Sequence, residues 1–237
     1  MRLRGIFTGI HFCLGALLIA LLVYPIRSGG VRLLIVWSAS AFLIGLSLSM
    51  WIRNRRVRWG FLGILLLTGL AIAFLPGKSV DQTRLRAEYV GALRRYEGDR
   101  YVWGGENGRG VDCSGIVRAA WIDSQFRLGI KTGNPRLIRG AMSAWWFDAS
   151  AKELCLGFGG RTRELHTAKS IRANRDEQLS PGDFAIIAHG VHALAYLGDH
   201  TWIEADPGIG KVIIIPTNDK NPWLDSSAVF VRWRALE

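Results

Sequence analysis

Three long apolar runs open the chain, at about residues 5–25, 31–51 and 59–76. They contain no Asp, Glu or Lys, and each is roughly 20 residues long, the length that a helix needs to cross a bilayer. The pattern predicts that residues 1–76 form a membrane anchor with three transmembrane helices. The first run has a cleavable signal peptide as its alternative. For residues 1–76 as a whole, the alternative is two transmembrane helices and one interfacial helix.

The chain becomes polar after the third apolar run. Residues 77–84 predict a linker, and residues 85–237 have the length of one globular domain. Residues 84–95 and 113–126 carry apolar positions at helical spacing, and short β-rich runs follow Pro181. Helices first and strands later predict an α+β domain with a mostly antiparallel sheet. The predicted strands are Phe184–Ala188, His192–Leu197, Thr201–Ala205, Lys211–Ile215 and Ala228–Trp233.

The formal net charge of +11 is concentrated beside the apolar runs. Residues 1–76 carry eight Arg and no Lys, Asp or Glu, whereas residues 77–237 carry 22 basic and 19 acidic residues. Basic residues beside apolar runs set the topology of membrane proteins. We therefore predict a lipid bilayer as a partner and no nucleic acid, for which the sequence has no basic stripe or binding motif.

The distribution of arginine also predicts the orientation of the anchor. Arg2 and Arg4 precede the first run and four arginines lie within residues 53–58, whereas the loop between the first two runs holds only Arg27. Because arginine-rich segments stay in the cytoplasm, the N-terminus is expected inside. Three crossings then place residues 77–237 outside the cytoplasm.

A glycine-rich segment, Tyr101–Val117, contains the candidate nucleophile. Asp112 is a good N-cap residue, so Cys113 is expected in the first turn of a helix. A helix N-terminus favours thiolate over thiol, and its backbone N–H groups can face an oxyanion. The usual role of a lone cysteine, a small buried apolar residue, suits Cys13 and Cys155. A disulfide between Cys113 and Cys155 is an alternative that the sequence does not decide, and this bond would remove the nucleophile.

A nucleophilic cysteine needs a base and a group that orients the base. His192 opens a predicted strand and is the first candidate base, with His189 in the preceding turn as the rival. The next strand supplies Glu204 or Asp206 as the carboxylate that holds the imidazole. The other histidines after the anchor are expected to be solvated, and they are His166 and His200.

Three segments together resemble the NlpC-type cell-wall cysteine peptidases, a papain-like family. The segment Tyr101-Val-Trp-Gly-Gly…Asp-Cys-Ser-Gly-Ile-Val117 resembles the nucleophile motif of that family. Leu179-Ser-Pro-Gly-Asp183 and His192-Ala-Leu-Ala-Tyr-Leu-Gly-Asp199 resemble its second and third signatures. The resemblance covers about residues 85–237 and implies a papain-like fold, with a cysteine-bearing helix packed on an antiparallel sheet.

The resemblance also implies roles for individual residues. Cys113 matches the nucleophile, His192 the base, Glu204 the third catalytic position and Tyr101 a tyrosine that assists at the active site. The third position is often His or another polar residue in the family, and here it is Glu. The family hydrolyses amide bonds of peptidoglycan stem peptides, often between D-glutamate and the diamino acid. This implies a bacterial cytoplasmic membrane with peptidoglycan outside as the substrate.

Substrate contacts are expected around the nucleophile and in the segment 125–180, which is longer than the usual connection of the family. The alternative role of the paired tryptophans in that segment is packing in a local core. The alternative for its arginines is a position on the solvated surface. No cofactor or metal is predicted, because the histidines and cysteines lack ligand-like spacing. We assign substrate binding to Trp103, Gly104, Asp112, Ser114, Trp146 and Arg161.

These observations predict a membrane-anchored cysteine hydrolase that acts on peptidoglycan stem peptides through Cys113, His192 and Glu204. An amidase or acyltransferase of the same superfamily that acts on lipids or small molecules is the first alternative. A non-catalytic cell-wall binding module is the second. Products released from peptidoglycan and from lipid amides separate the first two, and the reactivity of the Cys113 thiol separates both from the third.

Overall fold

The computed structural model describes residues 2–53, 55–174 and 179–237. Four residues of the long segment 125–180, at positions 175–178, lie outside the described part. So do the side chains of Arg2, Arg4 and Arg53, on which the predicted orientation of the anchor partly depends.

Three helices form at the positions of the apolar runs: α1 (Arg2–Val23), α2 (Gly29–Arg53) and α3 (Arg55–Phe74). The α2 helix packs against both of the others. Gly29–Ser49 and Arg55–Phe74 are long and apolar enough to cross a membrane. The apolar stretch Gly9–Val23 of α1 is shorter. None of the residues of α3 is buried, and most of its leucines are exposed.

Four further helices belong to the second part of the chain, and polar side chains cap their N-termini. They are α4 (Gln82–Arg94), α5 (Cys113–Thr132), α6 (Pro135–Trp146) and α7 (Ala151–Cys155). Asp81, Asp112, Asn134 and Ser150 each accept a backbone N–H of the first turn that follows. The α5 helix ends at Gly133, whose φ of 56° is in the left-handed region that favours glycine.

Six strands form one sheet in the order β3–β8–β4–β5–β6–β7, and every neighbouring pair is antiparallel. This confirms the predicted α+β class with an antiparallel sheet. A separate hairpin, β1 (Glu106–Asn107) with β2 (Gly110–Val111), lies in the glycine-rich segment. The strands of the large sheet are β3 (Thr162–Ala168), β4 (Phe184–Ile187), β5 (His192–Gly198), β6 (Thr201–Asp206), β7 (Lys211–Pro216) and β8 (Ala228–Trp233).

The sequence did not predict β3, the edge strand beside β8. Its residues Thr-Arg-Glu-Leu-His-Thr-Ala are mostly polar, and most of them are only partly buried or exposed. An edge strand with one wet face carries little of the apolar alternation that identifies a strand. The segment 125–180 therefore folds into α6, α7 and β3, and it joins the helical layer to the sheet.

Two apolar cores lie on the two faces of the sheet. The core on the α5 side includes Trp121 of that helix stacked on Trp233 of β8, with ring centroids 4.7 Å apart, and Tyr89 of α4 packs edge-on against Trp121. Trp202 and Phe230 belong to the opposite core. Because α5 packs across β5 and β6, its first turn lies close to the beginning of β5.

The Leu179–Asp183 signature has a structural role in the turn before β4. The Asp183 side chain is fully buried, and both of its oxygens accept hydrogen bonds from the Arg232 guanidinium of β8, at 2.6 and 2.7 Å. A buried carboxylate with this bidentate partner fixes the turn against the neighbouring strand.

Candidate active site

Cys113 begins α5, and the capping residue before it holds the surrounding loop. The Asp112 carboxylate accepts hydrogen bonds from the Gly115 N–H at 2.6 Å and from the Ser114 hydroxyl at 2.9 Å. Its second oxygen accepts the Gly104 N–H at 2.8 Å. One carboxylate thus ties the first turn of α5 to the glycine-rich segment that faces it.

The Cys113 thiol is partly buried against the apolar core on the α5 side of the sheet. Burial first, and the nearby Asp112 carboxylate second, raise the pKa of this thiol to about 12. The nearby backbone N–H groups of Ala193, Ser114 and Cys113 itself favour the thiolate and oppose that rise in pKa. The helix N-terminus therefore does act in the predicted direction, but desolvation outweighs it. A thiol with this pKa keeps its proton at neutral pH until a base removes it.

The backbone N–H of Ala193, the second residue of β5, lies near the Cys113 thiol. The start of α5 is therefore beside the start of β5, where His192 is located. His192 is 2% exposed, and its Nε2 atom contacts the Oε2 atom of Glu204, which is fully buried on the adjacent strand β6. This contact fixes which ring nitrogen faces the carboxylate, so the Nδ1 atom is the nitrogen left for the thiol. Glu204 thus holds the imidazole of His192, and the residue after His192, Ala193, has its backbone near the Cys113 thiol.

Asn221 completes the polar surroundings of Glu204. Its Nδ2 atom donates to the Glu204 Oε1 atom at 2.6 Å, and its Oδ1 atom accepts the Trp223 N–H at 2.9 Å. The Trp223 ring stacks on the His192 imidazole, with centroids 4.5 Å apart and planes 20° apart. A buried carboxylate is tolerated only when its oxygens have partners, and here both oxygens do.

Sequence reasoning missed Asn221 and Trp223. The dipeptide Asn221-Pro222 indicates a cap or turn, and Asn221 does cap the short 3-10 turn Pro222–Asp225. Asn221 and Glu204 are 17 residues apart in the sequence, so no local sequence pattern predicts their contact.

The alternative residues take other positions. Asp206 receives a longer contact of 3.4 Å from the Asn221 amide, and its other oxygen accepts the Ile209 N–H of the next turn. His189 is exposed in the turn before β5, with a φ of 56°. His166 of β3 hydrogen-bonds to the Asn174 side chain at 2.6 Å, and His200 lies in the turn between β5 and β6. The three thiols Cys13, Cys113 and Cys155 are free, so the possible disulfide is not formed.

Tyr101 lies close enough to the nucleophile for their charges to interact. Burial first, and then the Cys113 and Asp112 side chains, raise the pKa of its phenol to about 12. The hydroxyl is therefore neutral at physiological pH and can donate a hydrogen bond. That is the property required of a group that assists an oxyanion.

A cavity of about 420 Å³ opens beside Cys113. Four of the predicted substrate-binding residues line it: Trp103, Gly104, Asp112 and Ser114. The Trp103 side chain is 80% exposed at its rim. The cavity is also lined by Glu106, Arg118 and Asp148, which the sequence analysis did not single out.

The other two predicted substrate-binding residues do not line this cavity. Trp146, at the end of α6, packs its ring near that of Trp145, with centroids 6.4 Å apart. Arg161 donates to the Ser143 hydroxyl at 2.7 Å and lies over the rings of Phe147 and Phe158. Arg161 is thus bound within its own segment, whereas the Trp146 side chain is 44% exposed at the end of α6.

We expect Asn221→Ala to lower kcat without removing any group proposed to react. The change leaves Oε1 of buried Glu204 without its partner, and a hydrogen bond to a charged group is worth about 1.5–3 kcal/mol, or roughly 10–100-fold in rate. Asn218→Ala, at an exposed position of the preceding turn, is the matched control. Steady-state kinetics on a peptidoglycan fragment measure both variants, and an unchanged kcat in Asn221→Ala contradicts the prediction.

Several solved structures resemble the chain. The P60 domain of the Mycobacterium avium subspecies paratuberculosis antigen MAP1204 is 18% identical with a TM-score of 0.44, over 67% of this chain and 99% of that one. The Mycobacterium tuberculosis peptidoglycan hydrolase RipB is 18% identical with a TM-score of 0.44, over 71% and 72%. An NlpC/P60 family protein from Bacillus cereus is 18% identical with a TM-score of 0.42, over 70% of this chain and 43% of that one.

No curated protein matches the chain. A family model does, and it assigns the fold that the three sequence signatures imply. The model described as NlpC/P60 family matches residues 98–232, which is more than half of the 237 residues. The matched range includes the glycine-rich segment, the α5 helix and the large sheet. The chain therefore belongs to the NlpC/P60 family.

Proposed function

We propose that this protein is a membrane-anchored cysteine peptidase that hydrolyses an amide bond in peptidoglycan stem peptides. Cys113 is the nucleophile, His192 the base, Glu204 the group that orients the base, and Tyr101 an oxyanion donor. One observation carries the proposal: the Cys113 thiol at the start of α5 lies near the backbone N–H of Ala193, and the imidazole of the preceding residue, His192, contacts buried Glu204. The cell-wall substrate is the one that the family resemblance implies.

The first half of the reaction forms a thioester. His192 takes the proton from the Cys113 thiol as the sulfur attacks the amide carbonyl carbon. The negative charge that develops on the carbonyl oxygen is stabilised by the Cys113 backbone N–H and by the Tyr101 hydroxyl. When the carbon–nitrogen bond breaks, the protonated His192 gives its proton to the leaving amine. The acyl group stays on sulfur.

The second half releases the acid product. His192, neutral again, removes a proton from water as the water oxygen attacks the thioester carbon. The carbon–sulfur bond breaks, the thiolate recovers the proton from the imidazolium, and the carboxylic acid leaves. Glu204 stabilises the imidazolium in both halves, because it contacts His192 and is itself held in place by the Asn221 amide.

Contacts between the N-terminal helices and the second part of the chain support the anchor. The loop between α1 and α2 hydrogen-bonds to residues 104–107, so the two segments lie on the same side of any membrane. The helices between these two segments, α2 and α3, must then either both cross the membrane or both stay outside it. Since both are long and apolar enough to cross, two crossings satisfy this requirement.

With α1 as a third crossing, the N-terminus is cytoplasmic and the catalytic domain faces outward from a bacterial cytoplasmic membrane. The domain organisation is then an anchor at residues 1–76, a linker at 77–84, whose last three residues already belong to α4, and a peptidase domain at 85–237. This arrangement gives the domain access to the cell wall, and it agrees with the positive-inside distribution of arginine.

Digestion by the full chain in lipid nanodiscs tests the proposal. Purified peptidoglycan and N-acylated lipid amides are incubated in separate samples, and the products are identified by mass spectrometry. We expect stem-peptide fragments that carry a new amine and a new carboxyl group, and none when Cys113 is first alkylated. Products from the lipid amides alone would move the activity to lipids. No product from either substrate would favour the binding module.

A further inference from the structure

The loop between α1 and α2 is joined to the active-site segment by backbone hydrogen bonds. We define residues 24–28 as the anchor loop. The Arg27 N–H donates to the Gly104 carbonyl at 3.1 Å, and the Glu106 N–H donates to the Pro25 carbonyl at 3.0 Å. The anchor loop therefore adds an extended segment beside β1, with Ile26 bridged to Gly105 in the antiparallel sense.

Arg32 extends this contact from the first turns of α2. Its side chain is 1% exposed and forms an ion pair with Glu106, 74 residues away, at 2.5 Å. Arg118 of α5 pairs with the other oxygen of Glu106 at 2.8 Å and with Asp148 at 2.7 Å. Arg32 is thus directed into the wall of the cavity rather than into lipid. Removing one member of a buried ion pair leaves the other uncompensated, which is costly.

The segment held by Arg32 and the anchor loop also determines where Cys113 lies. Gly104 donates its N–H to the Asp112 side chain, and the Asp112 N–H donates to the Gly105 carbonyl at 3.1 Å. A Cβ atom on Gly115 would lie 2.0 Å from the Gly105 carbonyl oxygen, so this backbone sits directly on the first turn of α5. A displacement of residues 104–106 therefore moves the cap and the nucleophile together.

We propose that Arg32 is a positioning residue for the active site, and that the anchor loop supports residues 104–106, which line the catalytic cleft, and is not only part of a tether. The inference rests on the proposed function, since it concerns the same nucleophile. Its consequence is that the cleft is complete only when the anchor is present. Catalysis is then confined to the membrane surface, where the anchor loop emerges.

Kinetics of Arg32→Gln in the full chain test this role. We expect kcat on a soluble stem-peptide fragment to fall about 10–100-fold with KM little changed, because small displacements of reacting groups cost this much. Arg32→Lys, which keeps the charge but loses the planar fork, should recover part of kcat. Arg55→Gln, an exposed arginine at the start of α3, is the matched control and should match the wild type.

A double-mutant cycle separates positioning from general destabilisation. If Arg32 acts through Glu106, then Arg32→Gln combined with Glu106→Gln should be no slower than the slower single variant. Independent effects that multiply in kcat would overturn the inference. So would a kcat of Arg32→Gln within twofold of the wild type when the control is active.

Hydrogen exchange gives a readout that does not need activity. We expect the amides of residues 104–115 to exchange faster in Arg32→Gln than in the wild type, while amides of β4 and β8 stay equally protected. Equal exchange at residues 104–115 would overturn the inference even if the protein proved not to be a peptidase. An inactive wild type in which the exchange difference is present would overturn only the proposed function.

Discussion

Cys113→Ala is expected to abolish hydrolysis of peptidoglycan fragments, with a loss on the order of 10⁴-fold or more in kcat. Without the sulfur, no thioester forms, and water must attack the amide directly. The fold should persist, because alanine suits the first turn of a helix whose cap is the Asp112 side chain. Turnover measured by mass spectrometry and thermal unfolding of the same preparation provide the two readouts.

Cys155→Ala is the matched control for this variant. Cys155 is also a free, partly buried thiol, and it ends α7 outside the residues that line the cavity. The control should keep wild-type turnover. Substantial activity in Cys113→Ala, or its loss in Cys155→Ala with an intact fold, would contradict the assignment of the nucleophile.

Replacing His192 is expected to cost about 10²–10⁴-fold in kcat at neutral pH, the usual contribution of a positioned acid–base group. His192→Gln is preferable to His192→Ala, because its amide can still donate to buried Glu204. His189→Ala, in the exposed turn that precedes β5, is the matched control and should stay near the wild type. The reverse result would transfer the role of base to His189.

The pH dependence of His192→Gln gives a second test. Without a base, attack requires thiolate, and the pKa of Cys113 is raised to about 12 by burial and by Asp112. Below that pKa, the thiolate fraction rises about tenfold with each pH unit. The residual rate should therefore climb steeply from neutral to alkaline pH. A residual rate that is flat over this range would mean that the thiolate is already formed without His192.

Local sequence was sufficient for the elements that carry chemistry. The Asp112 cap and the apolar spacing after it put Cys113 at the start of a helix, and α5 begins at that residue. The β-rich run at His192 predicted a strand, and β5 begins there. Apolar runs, caps and turn residues act over a few positions, and for that reason they can be identified without tertiary structure. The edge strand β3 lacked such a pattern and was missed.

The contacts that make these elements a site were decided by the tertiary structure. Asn221 reaches Glu204 across 17 residues, and Arg32 reaches Glu106 across 74. Arg32 lies at the edge of the second apolar run, yet folding buries it against Glu106, which lines the cleft. Polar groups buried together must satisfy one another, and which groups meet depends on how helices and strands pack. The sequence by itself determined the three apolar helices, α4, α5, most strands and the candidate reactive groups, because each depends on neighbouring residues; α6 and α7 were not predicted. Their partners depended on the packed chain.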